Sequence, residues 1–255
     1  MKGCAVSLWS RLGSIILPAL GLALVGRGLT ALPAPERLWF TDDFESGKLH
    51  AWQFPHPEDW TIVETGGDHY LHMVRSREPG VPRRPLQFAL LKGVKAGNFS
   101  LQTRVRREGR SMIVVFDYVD TLHFYYAHLS GDRGTAQPVH NGIFIVNGSE
   151  RARIAGTDAP PVLPDRDWHL IRVERNTTSG TIDVYSDVQA GPIFSVVDRT
   201  FPCGQMGIGS FDETGDFDDV TLISDDEGCL NPQITQISRI DEASRKREEA
   251  SSNKP

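Results

Sequence analysis

Two groups of residues in this sequence have chemistry suited to holding a ligand. The first is acidic and lies at the two ends of the region rich in alternating residues: Asp43 and Glu45 near its start, Asp218 and Asp219 near its close. Carboxylate oxygens suit a hard cation such as Ca²⁺. Alternation along a strand puts Asp43 and Glu45 on one side, and if the first and last strands pair, these acids converge on a structural Ca²⁺. Val220 and Leu222 as core positions would place Asp218 on their side. The simpler alternative is a pair of solvated acidic strand ends that discourage edge pairing. The second group is the stretch from Asp117 to Ser130, continuing to His140 and Asn141. Ring faces stack on the apolar face of a pyranose while planar polar groups bind its hydroxyls. That chemistry makes His123, Tyr125, Tyr126, His128, His140 and Asn141 the candidate ligand-binding residues. Against it stands the ordinary role of aromatic and histidine residues in strand packing. A transition-metal site built from His123, His128 and His140 has no compact ligand spacing behind it.

Hydrolysis by paired carboxylates needs two acids facing each other about 5 to 9.5 Å apart. Glu174 and Asp183 read as outward residues of alternating segments, with Val173, Ile182 and Val184 as their inward neighbours. The chain carries no Gly-x-Ser-x-Gly elbow, no His-Glu-x-x-His and no phosphate-cradling glycine loop. No catalytic residue is assigned.

The elements that must position these groups are strands. Phe99 to Arg106 alternates apolar with polar, as a half-buried strand does, and Met112 to Phe116 is a continuous apolar run of the kind covered on both faces. About fourteen such segments follow one another, centred on 39–44, 60–64, 69–75, 86–91, 98–107, 111–118, 122–129, 142–147, 151–155, 168–175, 180–186, 193–198, 205–210 and 217–223. Gly66-Gly67, Lys92-Gly93, Glu108-Gly109, Asn147-Gly148 and Ser179-Gly180 mark tight turns between them. No 3.6-residue period is sustained. Many short strands without intervening helices give an all-β fold, and so many strands divide into two antiparallel sheets packed as a sandwich.

The 255 residues include 24 Gly and 16 Pro and carry a formal charge of −6. The helix breakers exclude a helical bundle, the 39% of hydrophobic residues excludes a wholly disordered chain, and the negative charge excludes the usual basic nucleic-acid binder. Lys2 and Arg11, an uncharged run from Leu12 to Gly26, and small residues after it have the order of a signal peptide over 1–34. The run is too short to span a bilayer, so export, to the periplasm or outside the cell, is expected. The mature chain then keeps Cys203 and Cys229, which can pair in an oxidising compartment. The sandwich domain is set at 38–229, and 230–255 reads as a charged tail with little to bury. Three Asn-x-Ser/Thr triplets begin at Asn98, Asn147 and Asn176.

Phe40-Thr-Asp-Asp-Phe-Glu-Ser-Gly47 with Trp52 and Trp60, Trp168-His-Leu-Ile-Arg-Val-Glu-Arg175 followed by Gly180-Thr-Ile-Asp-Val-Tyr185, and Gly207-Ile-Gly-Ser-Phe211 followed by Phe217-Asp-Asp-Val220 resemble the concanavalin A-like lectin/glucanase superfamily. Within it they are most similar to secreted bacterial laminin G-like modules and to the 3-keto-disaccharide hydrolase domain. The resemblance covers residues 39 to 223. It implies a jelly roll with a cupped sheet that often holds sugar, and a Ca²⁺ tying the terminal strands. The glucanase signature of that superfamily, Glu-x-Asp-x-x-Glu on one strand, is absent from this sequence. A secreted, non-catalytic carbohydrate-binding module with a glycan or glycoside ligand is therefore the expectation. The alternatives are an exported glycoside hydrolase of the 3-keto-disaccharide type and a laminin G-like protein-interaction domain.

Overall fold

Fifteen strands account for the alternating segments in the computed structural model, which describes residues 37–134, 137–156, 159–187 and 190–224. The first sheet contains β1 (Arg37–Asp42), β3 (Trp60–Thr65), β4 (Asp68–Met73), β6 (Phe99–Arg107), β11 (His169–Asn176), β12 (Thr181–Ser186), β13 (Phe194–Val197) and β15 (Gly215–Ser224). The second contains β2 (Trp52–Gln53), β5 (Gln87–Ala96), β7 (Ser111–Asp120), β8 (His123–Ser130), β9 (Gly142–Asn147), β10 (Ala152–Ala155) and β14 (Gly204–Ser210). Every pairing between these strands is antiparallel. The order in the first sheet is β13-β12-β11-β6-β15-β4-β3, with β1 also on β15, and in the second β10-β9-β8-β7-β14-β5-β2. The expected two-sheet sandwich is thus present. The two-residue strand β2 has too few residues to show a period, and the sequence pattern misses it. The segments expected to be a signal peptide and a charged tail, and Cys229, lie outside the described residues.

Alternation makes the core. Leu101, Val105, Ile171, Val173, Ile182, Val184, Phe217 and Leu222 from the first sheet face Leu91, Met112, Val114, Phe116, Tyr125, Ala127 and Ile208 from the second, all buried. Non-directional burial of this apolar surface is the main favourable term in folding. The run Met112 to Phe116 is covered on both faces as expected, since Ile113 and Val115 enter a separate apolar cluster on the other side of β7. One charged pair crosses the core. Arg175, 3% exposed, donates from Nε to the buried Asp117 carboxylate at 3.1 Å and from its other nitrogens to the carbonyls of Gly180, Thr181, Asp198 and Phe201. A buried guanidinium is tolerated when its donors are matched in this way.

Two breaks in alternation change where acids point. β1 ends at Asp42 and the chain turns through Phe44 in the left-handed region (φ 56°), so the same-side rule for Asp43 and Glu45 has no strand to act on. In β15 the register against β6 shifts between Asp218 and Thr221, and Asp219 has φ 49°. This bulge adds a residue between Phe217 and Val220, both of which are core. Asp218 therefore lies on the outer face, opposite Arg104, and not on the side of Val220 and Leu222.

Candidate ligand groove

The outer faces of the two sheets differ in kind. On the second sheet, Phe88, Leu90, Ile113, Val115, Phe124, Tyr126, Phe144, Val146 and Phe211 form a cluster with no member more than 3% exposed. Segment 79–86, between β4 and β5, is tied across it. Arg83 lies 4.8 Å above the Phe211 ring, Arg151 lies 4.4 Å above Phe211 and 4.7 Å above Phe144, and the Arg151 N–H donates to the Arg83 carbonyl at 3.0 Å. Arg84 Nε donates to the Thr121 carbonyl at 2.7 Å. These aromatic faces are occupied by guanidinium groups, which they attract through the ring quadrupole.

Four of the six ligand candidates gather here, and they are engaged internally. Tyr126 and His128 rings are 5.7 Å apart, and His128 and His140 rings 5.5 Å apart. His128 is fully buried. Arg151 Nη1 donates to His128 Nδ1 at 3.2 Å, and His128 Nε2 meets Ser111 Oγ at 2.9 Å. Arginine has no acceptor, so Nδ1 must accept and the single proton of the neutral ring sits on Nε2. The His128 Nε2–H then donates to Ser111, which removes the serine–histidine pair from consideration as a nucleophile and its base. Burial, with Arg151 alongside, holds the imidazole pKa well below its ordinary value. The Tyr126 hydroxyl accepts from Arg151 at 3.0 Å. Asn141, fully buried, accepts from the Ser130 N–H at 3.3 Å and donates to the Pro160 carbonyl at 2.8 Å. His140 is 8% exposed and bonds Asp132.

The remaining two candidates point elsewhere because successive strand residues face opposite sides. Tyr125 lies in the inter-sheet core, with its hydroxyl donating to Asp198 and accepting from the Phe201 N–H at 3.2 Å. Burial, and then the Asp198 carboxylate, pushes its pKa up to about 12. His123 sits at the β7–β8 turn, 2.8 Å from an Asp120 oxygen.

The acids expected to hold Ca²⁺ are also met from within the chain. Asp43 accepts from the Glu45 N–H at 3.2 Å in their own turn, and Glu45 binds the N–H and Nδ1 of His69 at 2.8 and 2.7 Å. Asp218 and Asp219 share Arg104 Nη1, each at 3.4 Å. Burial, and then the charges of Asp219 and Asp68, raises the Asp218 pKa to about 6, although the Asp219 N–H bond opposes the shift. Among the described residues no group of three or more acids, histidines or cysteines is placed to hold a metal ion. Alternation did not predict how these acids are held, because Asp43 and Glu45 lie past the end of β1 and the bulge in β15 turns Asp218 to the outer face. Cys203 is half-buried just ahead of β14, and Cys229, the partner expected for it, is outside the described residues.

The outer face of the first sheet is polar and half-exposed. Its residues form rows across neighbouring strands, set by register: Asp218–Arg104–Leu170, then Thr221–Gln102–Arg172–Tyr185, then Ile223–Ser100–Glu174–Asp183–Ser195. At the first end Arg106 lies 4.6 Å from the Trp168 ring and 5.0 Å from Tyr70, and binds Asp216 at 2.7 Å. The opposite end opens into a cavity of about 430 Å³ lined by Asn98, Ser100, Glu174, Asn176, Thr181 and Asp183 among others. Its rim is fixed by hydrogen bonds. Asn98 Oδ1 accepts from the N–H and hydroxyl of Thr177 at 2.8 and 2.9 Å, Asn176 Oδ1 accepts from the Ser179 N–H at 2.9 Å, and Ser224 donates to the Asn98 carbonyl at 2.6 Å. Glu174 pairs with Arg172, whose guanidinium lies 3.9 Å over Tyr185. Sequence reasoning placed Glu174 and Asp183 outward but did not join them. The short turn at Thr177 to Gly180 contained the signal, because a tight hairpin there sets Glu174 opposite Asp183.

No family model matches the sequence, and no curated protein matches it. Solved structures of similar strand course include a carbohydrate-binding module, CBM66, from Bacillus subtilis (17% identity, 68% of this chain and 96% of that one, TM-score 0.46). Others are a putative glycosyl hydrolase from Parabacteroides distasonis (15%, 72% and 98%, 0.48) and lectin I-B4 from Griffonia simplicifolia (11%, 72% and 98%, 0.41). Likeness at this level transfers neither a ligand nor a site residue.

Proposed function

We propose that this protein is a carbohydrate-binding β-sandwich module that takes its ligand in the polar groove on the outer face of the first sheet. The observation that carries this reading is the contrast between the two faces. The aromatic face is sealed by its own arginines, whereas the cavity of about 430 Å³ is open and lined by hydroxyl, amide and carboxylate groups on a rigid sheet. Such convergent polar groups in a concave site are what a hydroxyl-rich ligand of one or two rings requires. Binding is favoured over hydrolysis because Glu174 already serves as counter-ion to Arg172. Export is part of the proposal, supported by the leader pattern; amino-terminal sequencing of the exported protein tests it.

The test is retardation in polysaccharide-containing gels together with a glycan array, comparing the wild type with Ser100→Trp, which fills the groove. Loss of binding in a variant with unchanged circular dichroism and melting temperature is the expected result. Sugar binding that survives Ser100→Trp, or no sugar binding by the wild type, overturns the reading. A panel of glycosides and 3-keto-glycosides should release no product.

A further inference from the structure

The charge inside the groove is unbalanced. Glu174 on β11 and Asp183 on β12 are direct cross-strand partners, flanked in the same row by Ser100 and Ser195. Side chains so placed have Cβ atoms about 4.5 to 5.5 Å apart, and like charges there repel. Three cations among the described residues are close by, and each is committed, Arg199 by its bond to the Ser179 carbonyl. Arg172 bonds Glu174 and stacks on Tyr185, and Arg175 gives its donors to Asp117 and backbone carbonyls. Asp183, half-buried in the cavity lining, has no ion pair or side-chain hydrogen bond among the described residues. Elsewhere on this face Asp216 is met by Arg106 and His72, each at 2.7 Å, and Asp218 by Arg104 at 3.4 Å.

Resting on the reading of the groove as a sugar site, we propose that the Glu174–Asp183 pair makes it select an amine-bearing sugar, such as a 2-amino-2-deoxy sugar, over neutral and anionic ones. An ammonium between the two carboxylates removes their repulsion and gives Asp183 a charge-assisted hydrogen bond, roughly twice as strong as a neutral one. A neutral hydroxyl can bond Asp183 but leaves the repulsion, and a uronic acid adds to it. The hydroxyls of Ser100 and Thr181 remain for the rest of the ring.

The probes are the tetramers of glucosamine, N-acetylglucosamine and galacturonic acid, titrated calorimetrically at about pH 5.5, where the sugar amine is charged. The glucosamine tetramer should bind at least about tenfold more tightly than the N-acetylated one, the preference should weaken in high salt, and the galacturonic tetramer should not bind. Asp183→Asn should bring the two amino-sugar affinities to within about threefold, chiefly by weakening the glucosamine tetramer; Glu174→Gln should act in the same direction. Neutral and amine-bearing tetramers bound equally, with Ser100→Trp abolishing both, overturns the charge selection and leaves the groove standing. Binding indifferent to Ser100→Trp, or no binding of any tetramer, overturns both.

Discussion

Replacing Asp218 with asparagine should stabilise the protein at neutral pH and do nothing in acid. Asp218 is 2% exposed, receives the Asp219 N–H at 2.8 Å, and has its nearest cation, Arg104, at a long 3.4 Å. Burial and two neighbouring carboxylates raise its pKa from 3.8 to about 6. A carboxyl whose folded pKa exceeds its unfolded one binds more protons when folded, so its contribution is full below the unfolded value and is lost as pH rises through the folded one. A shift of about two units at 1.36 kcal/mol per unit corresponds to at most about 3 kcal/mol. Asparagine keeps the acceptor for the Asp219 N–H and carries no charge. Asp218→Asn should therefore raise unfolding free energy by about 1–3 kcal/mol at pH 7.5, with the gain shrinking between pH 6 and 4. Urea unfolding of both proteins across that range measures it. The comparison must be between the two proteins, since His128 acts with the opposite sign in the same region. A loss at neutral pH, or a gain independent of pH, refutes the account. So does a gain that turns into a loss when Ca²⁺ is added, which would mean that these acids meet an ion and not Arg104 and His69.

Two further outcomes follow from buried groups. Arg175→Met removes the guanidinium from Asp117 and its donors from the carbonyls of Gly180, Thr181, Asp198 and Phe201; it should cost about 3–5 kcal/mol, read from denaturant midpoints, and a cost under about 1 kcal/mol would contradict the assigned network. The imidazole of His128 should show, by ¹⁵N NMR, the Nε2–H tautomer on both sides of the ordinary histidine pKa, with no titration step there. Because its folded pKa is depressed, its contribution to stability is present above about pH 6.5 and declines as pH falls below that value.

Side-chain alternation is local, and it was enough to place all but the shortest strand. It also predicted the double burial of Met112 to Phe116, because an unbroken apolar run on a strand has no other stable surrounding. It failed at Asp43, which lies in a turn past the end of its strand, and at Asp218, where a one-residue bulge sends the side chain to the other face. Residue type picked out His123, Tyr125, Tyr126, His128, His140 and Asn141 as a group; the fold turns His123 and Tyr125 away, and the surroundings of Tyr126 and His128 depend on Arg151 and, beside it, Arg83. Those arginines arrive from distant segments, and no spacing in the chain announces that they will seal that face. The row Ser100–Glu174–Asp183–Ser195 has the same origin. Each member is an ordinary outward residue in its own strand, and the groove exists because pairing between strands, a non-local choice made by packing, sets them side by side. Strand content follows from short-range sterics and periodicity, whereas which face stays open follows from what the rest of the chain lays across it.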